Sequence, residues 1–159
     1  MKAKFRFALL LLAIMLFSGI SRAPRLLSTQ EIIALLNHDR SQKGLEALTL
    51  DPVLNLAALA KAQDMIHKNY FAHVSPEGVA PWYWFKALGY QYTYAGENLA
   101  AGFTDPADLE NSWMNSPEHR ANILSPFYSD VGLAVIEENN VSLVVQLFGS
   151  KESKVTLRQ

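Results

Sequence analysis

The chain contains no cysteine among its 159 residues. This absence excludes disulfide bridges, thiolate zinc sites, iron–sulfur clusters and cysteine nucleophiles. An excess of charge of one sign is also missing, because 14 Lys and Arg residues stand against 15 Asp and Glu residues, for a formal net charge of -1. Proteins that bind nucleic acid carry basic patches, and no run of Lys or Arg occurs beyond the N-terminus, so nucleic acid is not expected as a partner.

Local motifs of several well-known catalytic sites are absent as well. The sequence has no G-x-S-x-G, no H-E-x-x-H, no P-loop and no EF-hand loop. Histidine is scarce, with four residues. His38 and His67 fall late in predicted helices, where we interpret them as a solvated residue and a structural one. His73 and His119 have a different setting and are considered below.

The N-terminus follows the three-part pattern of a secretory signal peptide: basic residues, an apolar run, then small residues. The apolar run covers residues 7–17, which is shorter than the about 20 residues that a transmembrane helix needs. We predict a signal peptide over 1–21, cleaved between 21 and 23, and the alternative is an uncleaved anchor. Cleavage leaves an exported chain, secreted or held at the cell envelope, with no transmembrane helix.

The remainder is predicted to contain a short linker over 22–28, one domain over 29–149 and a C-terminal tail over 150–159. Ser28, Asp51 and Asp105 are predicted N-caps, and Gly44 is a predicted helix stop. Helices are predicted at about 29–43, 52–69, 82–88, 105–115 and 117–124, and strands at 91–94, 131–137 and 141–148, the last two joined at Asn139-Asn140. Helices followed by a hairpin predict an α+β fold with helices packed on an antiparallel sheet.

Three residues stand out as candidates for chemistry. His73 lies in a loop, His119 lies in the first turn of a predicted helix, and Glu97 follows a glycine before an apolar stretch. A helix N-terminus disfavours imidazolium, so we expect His119 to stay neutral, the form that binds metal or accepts a proton. The alternative is that each residue is structural. Ser75 and Ser116 lie near the histidines, but we interpret them as a turn residue and an N-cap.

The densest aromatic cluster covers residues 82–85 (WYWF). Packing in the core is the simpler interpretation, and a patch that faces a ligand is the alternative.

Three ordered segments resemble the CAP superfamily of cysteine-rich secretory, antigen 5 and pathogenesis-related proteins, in its bacterial SCP-like branch. They are residues 71–76 (FAHVSP), 96–100 (GENLA) and 113–124 (WMNSPEHRANIL). Residues 131–135 and 145–149 fit the closing strands of that family, so the resemblance covers about 29–149. It implies an α-β-α sandwich, with helices on both faces of a small antiparallel sheet, and a cleft built around two histidines and acidic residues.

Carried over by motif, the cleft histidines are His73 and His119, and one acid is Glu97, with Asn98 beside it. Animal and plant members place a second Glu three residues after the motif tryptophan. Here Ser116 occupies that place, and Glu118 is the nearby candidate to replace the missing acid.

Two functions from different classes follow from the resemblance. The first is a secreted, non-catalytic binding module for a lipid, a cell-envelope component or a protein. The second is a metal-assisted, peptidase-like hydrolase, in which His73 and His119 hold a divalent metal such as zinc and Glu97 is a third ligand or a general base. We favour the binding module over the enzyme, because no nucleophile motif is present and one acid of the cleft is replaced. A purely structural role for the His/Glu group is the third possibility.

Overall fold

The computed structural model of the protein describes residues 27–151. The predicted signal peptide with its cleavage site, most of the predicted linker, and the tail from residue 152 onward lie outside the described residues and stay predictions. Within the described part, no helix has both the length and the apolar character needed to cross a membrane.

Five helices lie between residues 27 and 151, close to the predicted places. They are α1 (Thr29–Ser41), α2 (Pro52–His67), α3 (Trp82–Ala87), α4 (Pro106–Asn115) and α5 (Pro117–Ile123). Their starts follow from the predicted N-caps. The Asp51 carboxylate accepts hydrogen bonds from the first-turn amides of α2, Asp105 does the same for α4, and Ser28 accepts from the amide of Glu31. Local capping therefore fixes where the three longer helices begin.

Four strands form one sheet in the order β1-β3-β4-β2. The strands are β1 (Thr49–Leu50), β2 (Tyr92–Ala101), β3 (Asp130–Glu138) and β4 (Val141–Lys151). β4 pairs antiparallel with both β2 and β3, and the β3–β4 turn is Asn139-Asn140, with both residues at positive φ as a tight hairpin turn requires. These features confirm the predicted α+β fold class.

The sheet differs from the prediction in one respect, because it is mixed rather than wholly antiparallel. The two-residue strand β1 pairs parallel with β3, through hydrogen bonds from the Thr49 amide to the Ser129 carbonyl and from the Asp51 amide to the Val131 carbonyl. A strand of two residues has no hydrophobic period, so the sequence pattern could not reveal it.

The sheet separates two hydrophobic cores, which gives the predicted α-β-α layers. On one face, α1, α4 and α5 contribute buried side chains that pack on β3 and β4. On the other face, α2 and α3 bury a second group, in which α2 supplies the three small residues Ala57, Ala58 and Ala62. Small side chains let α2 lie close to the sheet. The edge strand β2 is buried on both faces over residues 96–100, and it carries the residues of the candidate site.

Candidate functional site

An open cleft of about 360 Å³ lies between the start of α3, the strand β2 and the loop that joins α2 to α3. We call this loop, residues 68–81, the His73 loop. Its residues His73, Val74 and Pro81 form one wall of the cleft, together with Trp82 at the start of α3. The second wall, which meets the first at the contact between His73 and Glu97, contains Glu97 from β2 and Asn122 from α5.

The structure brings His73 and Glu97 into direct contact. His73 Nδ1 lies 2.6 Å from Glu97 Oε1, which is a short hydrogen-bond distance. The Glu97 side chain is 1% exposed, whereas the His73 side chain is 59% exposed. Because Nδ1 is engaged with the carboxylate, Nε2 is the ring nitrogen that remains for a ligand or a water molecule.

Burial raises the pKa of Glu97 above its usual range, while the hydrogen bond with His73 and the charges of Lys61 and His73 oppose that shift. Desolvation thus disfavours the carboxylate, and the two basic neighbours favour it. Glu97 therefore depends on His73 for its side-chain hydrogen bond, because its other carboxylate oxygen has no partner among the described residues.

His119 lies in the first turn of α5 and is not among the residues that line the cleft. It is half-buried, with its ring centroid 6.4 Å from that of Trp113. Burial is the main cause that lowers the pKa of His119, and the charge of His73 adds to it, while Glu118 opposes it. The direction agrees with the expectation of a neutral imidazole. The largest cause is desolvation, however, rather than the helix N-terminus on which the sequence argument relied.

Asn98 points away from the cleft, as the alternation of side chains along β2 requires when Glu97 points into it. It is fully buried, and its Nδ2 donates to Gln146 Oε1 at 3.0 Å and to the His119 carbonyl at 3.3 Å. Its Oδ1 accepts from Asn122 Nδ2 at 2.9 Å. Asn98 is therefore an anchor for α5 and its histidine, and not part of the cleft wall.

Asn122 was missed by the sequence analysis, although it lies three residues after His119 and hence on the same face of α5. Its Nδ2 donates to the Glu97 carbonyl at 3.1 Å as well as to Asn98. The spacing of three residues from His119 could have identified Asn122 as a candidate site residue.

The outer edge of β2 is covered by side chains rather than by another strand. Alternate carbonyls accept hydrogen bonds: Ala95 from Tyr128 Oη at 3.1 Å, Glu97 from Asn122 Nδ2 at 3.1 Å, and Leu99 from Trp113 Nε1 at 3.3 Å. These side-chain donors satisfy backbone groups that an edge strand otherwise leaves open. They also hold in place the strand that carries Glu97.

Ser116 and Glu118 lie at the solvent side of α5. Ser116 occupies the predicted N-cap position, but its hydroxyl does not cap the helix and lies 3.3 Å from Glu118 Oε2. Glu118 is exposed, and its link to the site is its charge, which acts to raise the pKa of His119. The role of Glu118 as a replacement for the second acid stays a prediction.

A metal centre formed by three protein ligands is not found among residues 27–151, since no group of three His, Asp or Glu residues there is arranged to hold a metal ion. Glu97 is hydrogen-bonded to His73 instead of standing free beside it. Catalytic zinc sites take three ligands from the protein, so the described residues do not fit such a site. The assignment of His73 and His119 as zinc ligands stays a prediction.

The aromatic cluster of residues 82–85 contains both a core residue and a residue that faces the cleft, so each of the two interpretations applies to part of it. Phe85 is fully buried and makes edge-on contacts with Trp82, Tyr90 and Tyr92, as a core residue does. Trp82 is half-buried and lines the cleft, whereas Tyr83 is 55% exposed. Trp82 is therefore the one member of the cluster that both packs on the core and faces the candidate site.

Known proteins resemble this chain in sequence and in fold. The Bacillus subtilis protein YkwD is 40% identical over 121 residues, which cover 75% of this chain and 47% of YkwD. The Bacillus subtilis membrane protein YlbC is 31% identical over 108 residues, covering 68% of this chain and 31% of YlbC. The chain thus spans less than half the length of these curated relatives.

Solved structures show the same architecture. An extracellular protein of Bacillus anthracis that contains an SCP domain matches with a TM-score of 0.70 and 30% identity, over 77% of this chain and 40% of that one. An outer surface protein of Borrelia burgdorferi matches with a TM-score of 0.72 and 21% identity, over 82% of this chain and 100% of that one.

The sequence model of one family, the cysteine-rich secretory protein family or CAP, matches residues 33–148. This range contains all three motifs on which the resemblance was based, and it spans both walls of the cleft. The chain therefore belongs to the cysteine-rich secretory protein (CAP) family.

Proposed function

We propose that this protein is exported and that its cleft binds a component of the cell envelope, a lipid or a protein, without catalysing a reaction. The observation that carries the proposal is the composition of the cleft. Apolar surface from Val74, Pro81 and Trp82 adjoins the polar pair of His73 and the buried Glu97. A few polar groups set in an apolar wall are typical of ligand-binding sites, where the apolar part supplies affinity and the polar part orients the ligand.

The surroundings of the pair favour binding over catalysis. Ser75, the hydroxyl nearest to His73 in the sequence, is buried, donates to Glu77 at 2.9 Å and accepts from the amides of Glu77 and Val79. It therefore serves as the turn residue expected from the sequence. Two of the similar solved structures are of an extracellular protein and an outer surface protein, which supports the proposed location.

Binding is tested by sedimenting the purified protein with peptidoglycan sacculi and with phosphatidylglycerol vesicles, which separate a polymer ligand from a lipid. We expect Trp82→Ala to reduce affinity at least about tenfold, because the indole is the largest apolar side chain among the residues that line the cleft. Tyr83→Ala is the matched control: it removes the neighbouring aromatic ring of α3, which is exposed and outside the cleft lining. Equal affinities of the two variants, or no binding to either material, would count against the proposal.

A hydrolase is the second candidate, and the contact between His73 and Glu97 favours it. An imidazole whose Nδ1 is held by a buried carboxylate, with Nε2 left free, has the geometry of an oriented general base. Peptide hydrolysis is measured for the wild type and for His73→Ala, with and without added zinc. We expect no turnover that depends on His73. Turnover that His73→Ala abolishes would replace the binding proposal with the enzymatic one.

A further inference from the structure

A buried lysine lies behind the His73 loop. Lys61 is on the face of α2 that packs against the sheet, and it is 0% exposed. Its ammonium group donates three hydrogen bonds, to Tyr70 Oη at 3.0 Å, to the Ala72 carbonyl at 2.9 Å and to the His73 carbonyl at 3.0 Å. All three N–H groups of the ammonium are therefore used inside the protein.

Such a residue is costly to bury, because an ammonium group loses its hydration and only hydrogen bonds to well-placed acceptors compensate for that loss. Burial lowers the pKa of Lys61, and the charges of Glu97 and Asp64 oppose that shift. The cation also lies 4.7 Å above the centre of the Tyr70 ring, and the Tyr70 hydroxyl in turn donates to Asp64 at 2.6 Å. The acceptors around Lys61 thus form a complete shell.

The acceptors of Lys61 lie in the first half of the His73 loop. Backbone hydrogen bonds hold the loop before and after the Ala72 and His73 carbonyls, from the Tyr70 amide to the Met65 carbonyl and from the Ser75 amide to the Val79 carbonyl. Between those two points, the carbonyls of Ala72 and His73 are bound by Lys61. Lys61, on the helix α2, therefore provides hydrogen bonds to these two backbone carbonyls, which belong to no strand or helix themselves.

We propose that Lys61 is a positioning residue, which fixes the backbone at Ala72 and His73 and thereby holds the His73 ring against Glu97 and sets the wall of the cleft. The inference rests on the proposed function in one respect: the wall that Lys61 holds is a wall of the proposed binding cleft. The side chain of Lys61 does not itself line the cleft. It holds the wall through the loop, in addition to the effect of its charge on the pKa of Glu97, and amide exchange in the loop reports the first of these effects separately.

The test replaces Lys61 by methionine, which keeps a long unbranched side chain and removes the three donors. We expect the proton in the contact between His73 Nδ1 and Glu97 to give a downfield signal in nuclear magnetic resonance spectra, because the 2.6 Å distance is shorter than that of a usual N–H···O hydrogen bond. We expect this signal to be lost or shifted upfield in Lys61→Met, and exchange of the hydrogen-bonded amides of Tyr70 and Ser75, on either side of the lysine's contacts, to become at least about tenfold faster. Lys61→Arg, which retains the charge and the donors, is expected to restore part of the signal.

Lys86→Met is the matched control, because Lys86 is an exposed lysine of the neighbouring helix α3. It should leave the signal and the exchange rates unchanged. If Lys61→Met proves unfolded, Lys61→Gln replaces it, with the same expected direction, because its amide keeps fewer donors on a shorter side chain. A folded Met or Gln variant with an unaltered His73 signal and unaltered exchange would overturn the proposal. No ligand is needed, so this result is independent of binding to sacculi or vesicles.

Discussion

Replacement of Glu110 by glutamine is expected to stabilise the protein at neutral and mildly alkaline pH. Glu110 lies on α4, is 3% exposed, and neither of its carboxylate oxygens has a hydrogen-bond partner among the described residues. Burial raises the pKa of Glu110 from 4.5 to about 8, and the negative charge of Asp39 on α1 adds to the shift. The carboxylate form is therefore unfavourable in the folded protein.

The sign of the pH dependence follows from the raised pKa. The folded state holds the Glu110 proton more tightly than the unfolded state, so the protein loses stability as the pH rises from about 4.5, and the loss is complete above about 8. A difference of this size corresponds to roughly 3 to 5 kcal/mol. Glutamine cannot ionise, so we expect Glu110→Gln to remove that loss.

Urea unfolding from pH 5 to pH 9 measures the effect. The free energy of unfolding of the wild type should fall across this range relative to that of Glu110→Gln. Glu118→Gln, the same change at an exposed position of α5, serves as the control and should run close to the wild type. Parallel curves for the wild type and Glu110→Gln would contradict the prediction.

Gly132→Ala is expected to destabilise the fold by about 3 kcal/mol or more, because it inserts a methyl group where α2 crosses the sheet. A Cβ at Gly132 on β3 would overlap the backbone carbonyl of Leu54 in the first turn of α2. A backbone group cannot turn aside as a flexible side chain can, so the helix would have to move away from the sheet. Such a shift would also open the packing around Ala57 and Ala58.

Gly44→Ala provides the comparison for this change. Gly44 has open space around its Cβ position but a φ of +68°, so alanine there costs only the backbone strain, about 1 kcal/mol. Thermal and urea unfolding should therefore place Gly132→Ala well below Gly44→Ala in stability. Similar stabilities for the two variants would contradict the prediction, because they would mean that α2 can move away from Gly132 at little cost.

The parts of the fold that were predictable from the sequence depend on local signals. Asp51-Pro52 and Asp105-Pro106 mark helix starts because a carboxylate cap and a proline in the first turn act within four residues. β2 was predicted only over 91–94, although it extends to Ala101, because residues 96–100 are buried on both faces and show no alternation. The length of that strand depends on the elements that cover both of its faces, and the local sequence pattern gives no information about them.

The candidate site was less accessible to residue-level reasoning. The contact between His73 and Glu97 joins a loop to a strand, and only the family resemblance placed the two together. Lys61 fell on the apolar stripe of α2, where its charge gave no sign of its acceptors on the following loop. The ionisable group with the largest expected effect on stability, Glu110, was missed because α4 is packed against elements from other parts of the chain, including α1.

The covering of β2 has a consequence for the order in which the chain can acquire its structure. All three side chains that close the outer edge of β2, from Trp113, Asn122 and Tyr128, are later in the sequence than the strand itself. Until they dock, the edge presents open amides and carbonyls, which another extended chain can pair with. A chain that emerges N-terminus first is therefore most prone to self-association from the appearance of β2 until Tyr128 has closed its outer edge and β4 has paired with its inner edge.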